Sequence, residues 1–172
     1  MNEPTNKPDE VIPTVPSGFK KHIHSFWEIL QFAVIALAIV IPIRAFVAQP
    51  FVVSGTSMVP TFENGDYLII DEISYRFEDP KRGDVVVFKY PKDTTKYFIK
   101  RLIGLPGDTV EISGSKVTIY NDEHPDGLTL DEPYIANLSS NVSKTVVTPG
   151  NYFVMGDNRP ASSDSRFWGL VP

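Results

Sequence analysis

The chain has no cysteine and only three histidines among its 172 residues. The first absence removes thiol catalysis, disulfides and thiolate metal sites together, and it suits an exported domain. The second is nearly as restrictive. His22 and His24 lie ahead of the longest apolar stretch and His124 sits in a turn-like His-Pro-Asp-Gly segment, so a Ser-His-Asp triad has almost no base to draw on. A zinc site lacks its usual ligands for the same reason. No metal or other cofactor is expected. A block of basic residues is missing too, and the net charge is -5, which argues against nucleic acid as a partner. What is present is ordinary in bulk: 42% hydrophobic residues, enough for one core domain and an appendage.

The appendage comes first. Residues 27–47 read WEILQFAVIALAIVIPIRAFV, and at 1.5 Å per residue about 20 such residues cross a hydrocarbon core of roughly 30 Å. The strictly apolar part, residues 32–43, is short enough for a buried soluble helix, but it leaves no amphipathic face, and a domain this small cannot easily surround a helix that is apolar all round. A single transmembrane helix is therefore the expectation, with Arg44 snorkelling to the headgroups and Pro42 kinking the helix. Around Ala48 the small residues of a cleavage site are missing, which favours an uncleaved signal-anchor. Lys20 and Lys21 precede the span and only Arg44 lies near its far end, so the N-terminus is expected in the cytoplasm and the lipid bilayer is an expected partner. Residues 1–26 then form a cytoplasmic tail. Pro4, Pro8, Pro13 and Pro16 among polar residues leave most of it disordered.

Residues 48–172 read as mainly β and are expected outside the cytoplasm. Short β-branched or aromatic runs at 67–70, 85–88, 97–103, 109–112, 116–120 and 152–155 alternate with Gly, Pro and Asp. Gly114 separates two of them, which predicts a hairpin over 109–120. Residues 121–148 are polar and turn-rich, and read as a long irregular excursion. Its two Asn-x-Ser sequons, at Asn137 and Asn141, are of a kind that arises by chance in polar loops. No internal repeat is visible.

Without histidine, a nucleophilic serine needs another base that is neutral near pH 7 and within hydrogen-bond reach. A lysine in apolar surroundings can serve, because burial can lower its pKa by 3 to 5 units from about 10.4. Lys100 has such surroundings: in a strand over 97–103, Phe98, Lys100 and Leu102 share one face while Arg101 points the other way and can stay solvated. The plainer reading of Lys100 is an edge-strand lysine that discourages aggregation. Ser57, in Ser-Gly-Thr-Ser-Met-Val-Pro-Thr at 54–61, is the serine nearest to such a design, although serine near glycine and proline is also common turn chemistry. A third cluster, MGDNRPASSDSRFWG at 155–169, packs acidic and basic residues behind a strand. Taken alone it could be a capped, ion-paired turn, where an exposed pair is worth about 0 to 1 kcal/mol.

Together, residues 54–61, KRLIGLPGD at 100–108 and GDNRPASSDSRFWG at 156–169 resemble type I signal peptidases, serine proteases of bacterial-type cell membranes. The likeness includes the apolar segment and Gly-Asp-Val-Val-Val-Phe at 83–88, and leaves the excursion uncovered. It implies a membrane-anchored endopeptidase that cleaves signal peptides from exported preproteins by a Ser/Lys dyad through an acyl-enzyme. It implies Ser57 as nucleophile and Lys100 as general base, with Ser162 helping to orient the lysine. Asp164 and Arg166 match a supporting ion pair, Asp157 and Arg159 other members of that polar network, and Met58 a residue packed beside the nucleophile. The implied substrate is an extended peptide paired with a strand edge, with small residues at the first and third positions before the cut.

Two departures stand out. Gly55 occupies a position where some members carry a serine whose hydroxyl joins the oxyanion hole, so the hole must rely on backbone N–H groups, including that of Ser57. The chain also reaches Pro172 directly after Trp-Gly-Leu-Val, where related sequences commonly continue, so a terminal strand or packing segment is expected to be missing. A self-cleaving Ser/Lys protease of the SOS-repressor type would leave the apolar segment unexplained. An anchored binding module without activity would leave Ser57 and Lys100 unexplained.

Overall fold

The computed structural model describes residues 18–46, 48–71, 74–136 and 142–172, and within the first helix the side chains of residues 26–42. Residues 1–17, most of the expected tail, and the asparagines of both sequons lie outside the described residues, as do the side chains of Lys20 and Lys21. The chain divides into two units, Met1–Arg44 and Ala45–Pro172.

In the first unit the apolar run is helical, as α1 (Gly18–Phe46), which continues through Pro42. The expected transmembrane helix is corrected here: among the described residues no helix is long and apolar enough to cross a membrane. The described side chains of α1 include Glu28 and Gln31. The single-pass topology, the cytoplasmic N-terminus, the external catalytic domain and the lipid bilayer as partner all rested on that span and fall with it.

In the second unit the β-branched and aromatic runs become strands. β1 (Ala48–Val52) pairs with β2 (Tyr67–Asp71), with Pro50 opposite Ile69. Pro50 is tolerated because, among the described residues, β1 has a neighbour on one side only. β3 (Val85–Tyr90), β4 (Asp93–Gly104) and β9 (Phe153–Met155) form a second antiparallel sheet in the order β3-β4-β9. β5 (Thr109–Ser113) and β6 (Lys116–Tyr120) form the predicted hairpin, to which β7 (Leu128–Thr129) and β8 (Val142–Val146) add in the order β7-β6-β5-β8. The polar excursion thus supplies two strands of its own.

Alternation along β4 feeds two cores at once. Leu102 packs with Val154 and Val171, while Ile103 on the opposite face joins Val110, Ile112, Val117, Ile119 and Phe153. Each such side chain, once buried, contributes about 1.5–3 kcal/mol. Asp108 ties the surrounding turns together, accepting from Arg82 Nη1 at 2.8 Å, Asn121 Nδ2 at 2.8 Å and the Leu105 N–H at 2.6 Å. β4, clamped between β3 and β9, is therefore a rigid platform for the residues along it.

Candidate active site

Ser57 lies on the connection between β1 and β2. Gly55 opens that turn with φ of +101°, a conformation that favours glycine, and its N–H donates to Asn64 Oδ1 at 2.8 Å. Met58, the next residue after Ser57, is 1% exposed and anchors the turn from below, and its carbonyl accepts from the Phe62 N–H at 2.9 Å. The serine itself is left half-buried.

Lys100 lies in β4 opposite Val86 and is 4% exposed. Its Nζ is 2.7 Å from Ser57 Oγ and donates to the Ile99 carbonyl at 2.8 Å. Burial pulls the lysine down from 10.5 to about 8, against the opposing influence first of Asp164 and then of Asp157. An amine that is partly neutral near pH 7–8 and touches a hydroxyl can exchange a proton with it.

The third cluster wraps beneath this pair. After β9 the chain makes a 3-10 turn (Arg159–Ala161) and a short helix, α2 (Ser165–Trp168), capped by Asp164. The buried Asp164 carboxylate accepts from the Gly156 N–H at 3.0 Å, Ser162 Oγ at 2.7 Å, and Arg166 Nε and Nη2 at 2.8 Å each. Such a fork is among the stronger charge-assisted arrangements. Among the described residues no hydrogen bond joins Ser162 Oγ to Lys100 Nζ; Ser162 donates to Asp164, whose charge acts on the lysine. Gly156 is required by close approach: a Cβ there would collide with Ser162 Oγ and the Ser57 carbonyl oxygen.

Asp157 and Arg159 belong to two separate pairs. Asp157 takes a bidentate grip from Arg101, Nε to Oδ1 at 2.8 Å and Nη2 to Oδ2 at 2.6 Å, and also accepts from Thr61 Oγ1. Arg159 is ion-paired with Glu132, both side chains being 4% exposed. Arg101 points away from Lys100 as the alternation requires, but it is covered rather than solvated, lying 3.9 Å from the Tyr134 ring centroid. The Tyr134 hydroxyl in turn donates to Glu132 at 2.8 Å. Thr61, Arg101, Glu132 and Tyr134 thus join the site, and so does Asn158, whose Nδ2 donates to the Thr56 carbonyl at 3.1 Å; the sequence alone assigned none of them a role. Asn158 sat inside a recognised motif; Glu132 and Tyr134 carried no local signal, being polar residues in a turn-rich segment.

A cavity of about 600 Å³ opens over Ser57 and Lys100, walled by Phe51, Tyr97, Ile99, Ala161 and Ser163 among others. Among the described residues no strand pairs with the second edge of β4 over residues 93–100, and that edge borders the cavity.

A buried amine against a serine hydroxyl beside an open strand edge suits the hydrolysis of an extended chain, and comparison with known proteins gives the class as peptidase. The family model described as signal peptidase, peptidase S26, matches residues 26–172, and the chain belongs to that family. The probable signal peptidase I-1 of Synechocystis sp. is 38% identical over 87% of this chain and 80% of its own length. The probable signal peptidase I-2 of the same organism is 42% identical over 87% of this chain and 68% of its own. A crystal structure of a signal peptidase I from Enterococcus faecalis V583 is 37% identical, covering 55% of this chain and 90% of that one, with a TM-score of 0.46.

Proposed function

We propose that the protein is a serine endopeptidase that removes signal peptides from exported preproteins, with Ser57 as nucleophile and Lys100 as general base. The observation that carries this reading is the 2.7 Å contact between Lys100 Nζ and Ser57 Oγ, made by a lysine that burial holds at about 8. The neutral amine takes the hydroxyl proton as Ser57 Oγ bonds to the scissile carbonyl carbon. The resulting ammonium returns that proton to the leaving amine as the C–N bond breaks, leaving an acyl-enzyme. A water molecule then attacks the ester carbonyl, Lys100 takes its proton, and the C–O bond to Ser57 breaks as the proton passes back to Oγ. Oxyanion stabilisation falls to backbone N–H groups, that of Ser57 first, since Gly55 supplies no hydroxyl.

The supporting residues act through position. Met58 fixes the floor under the nucleophile. Ser162, Asp164 and Arg166 hold the loop that faces Lys100, and Asp157 and Arg159 tie its flanks to β4 and to the 121–148 segment. The open edge of β4 gives an extended substrate a strand to pair with. A cleft walled by Phe51 and Ile99 favours small residues at the first and third positions before the cut by excluding large ones.

The test is to incubate the purified full chain with a preprotein carrying alanine at those two positions and to sequence the new N-terminus. Cleavage directly after the first of them, lost when that alanine becomes a bulky residue, is the expected result. Equal cleavage of both substrates, or none of either, would overturn the reading.

A further inference from the structure

The peptide that joins Thr56 to Ser57 is held at one end and open at the other. Its carbonyl oxygen accepts from Asn158 Nδ2 at 3.1 Å and from the Val59 N–H at 3.3 Å. At its other end the Ser57 N–H has no hydrogen-bond acceptor among the described residues. In a trans peptide the C=O and N–H point in opposite directions within one plane, so fixing the carbonyl fixes where the N–H points. Donors on the carbonyl also polarise the amide and strengthen what its N–H can donate.

Asn158 grips the following peptide as well, its backbone N–H donating to the Ser57 carbonyl at 3.0 Å. One residue therefore holds both carbonyls that flank the Ser57 Cα. Asn158 occupies the N-cap position of the turn Arg159–Ala161 yet makes no side-chain cap bond. The amide reaches instead to a carbonyl 102 residues earlier in the chain. Its own neighbours keep it in place, Asp157 through Arg101 and Thr61, Arg159 through Glu132.

We propose that Asn158 is a positioning residue for the oxyanion site, orienting the Thr56–Ser57 peptide so that the Ser57 N–H faces the oxygen that becomes negative during acyl transfer. This rests on the reading of Ser57 as nucleophile. With glycine at position 55 no side-chain hydroxyl shares the load there, so the orientation of this one N–H matters more. Because the N–H serves charge that develops only in the transition state, disturbing it lowers kcat and leaves KM largely alone.

The experiment compares the full-length wild type with Asn158→Ala and Asn158→Asp on a fluorogenic peptide that has alanine at the first and third positions before the cut. The matching peptide boronic acid is titrated in parallel. On binding it, Ser57 Oγ bonds to boron and its proton passes to Lys100, leaving a tetrahedral anion with an oxygen in the same site. Losing a direct oxyanion donor costs about 10²–10³ in kcat, so an indirect loss is expected to cost about 10 to 100-fold. KM should stay within about twofold, and boronate affinity should fall in step with kcat. Asn158→Asp, which is isosteric but sets an anionic oxygen against the Thr56 carbonyl, should be the worse of the two. Unchanged kcat and boronate affinity would overturn the proposal. So would failure of both variants to fold, which would make Asn158 a folding residue. Ser57→Ala separates the two readings: turnover by that variant refutes the nucleophile, whereas its inactivity beside a fully active Asn158→Ala refutes the positioning role alone.

Discussion

Replacing Lys100 by methionine should make the protein more stable near neutral pH, and the gain should vanish as pH rises. Below about pH 8 the amine is protonated in both folded and unfolded chains, and the native state bears the full cost of burying an ammonium. Between about 8 and 10.5 the unfolded chain binds that proton and the folded chain does not, so wild-type stability climbs with pH. Above 10.5 the amine is neutral in both states and the cost is gone. At about 1.4 kcal/mol per pH unit, the interval from 10.5 to about 8 corresponds to roughly 3 kcal/mol. Methionine forfeits the bonds to Ser57 and Ile99, about 1 kcal/mol each, and regains part of that as apolar contact. The expected balance at pH 7 is a gain of about 1–3 kcal/mol. Urea unfolding followed by tryptophan fluorescence at several pH values from 6.5 to 10 measures it, and groups common to both proteins cancel in the difference. A wild type as stable as the variant at every pH, or a difference that does not change with pH, would refute the claim that burial shifts this lysine.

Glu132→Ala leaves Arg159 buried without its carboxylate and Tyr134 without its acceptor, so it should destabilise by about 3–5 kcal/mol and lower the thermal midpoint by roughly 10 °C or more; an unchanged midpoint by calorimetry would contradict the pairing. Gly156→Ala drives a methyl into Ser162 Oγ and the Ser57 carbonyl, so peptide cleavage should fall more than about 100-fold. Near-normal turnover by that variant would show that the contact between the two loops is not needed.

Much of the β unit was legible because its signals are local. The runs at 85–88, 109–112 and 116–120 each became strands with their alternation facing a core. β8 was hidden for a definite reason: Val142, Lys144 and Val146 face outward and the more covered positions are Ser143 and Thr145, so no apolar stripe announces it. Pro50 disguised β1 for another reason, since a proline inside a short run argues against a strand. The membrane span was read from a hydropathy rule, whereas among the described residues no helix is long and apolar enough to cross a membrane. Within the candidate site, Ser57 and Lys100 could be proposed from local pattern together with the family resemblance of their motifs. The pairings that hold them could not, because Asp157 meets Arg101 across 56 residues and Arg159 meets Glu132 across 27. The family resemblance implied that Asp157 and Arg159 serve one network; the fold sends their side chains to different partners.

If a neutral Lys100 activates Ser57, kcat/KM of the free enzyme should rise with pH through a single ionisation at about pH 8, where burial holds this lysine. A profile flat across that range, or one that first rises near 10.4 as for an ordinary lysine, would contradict it.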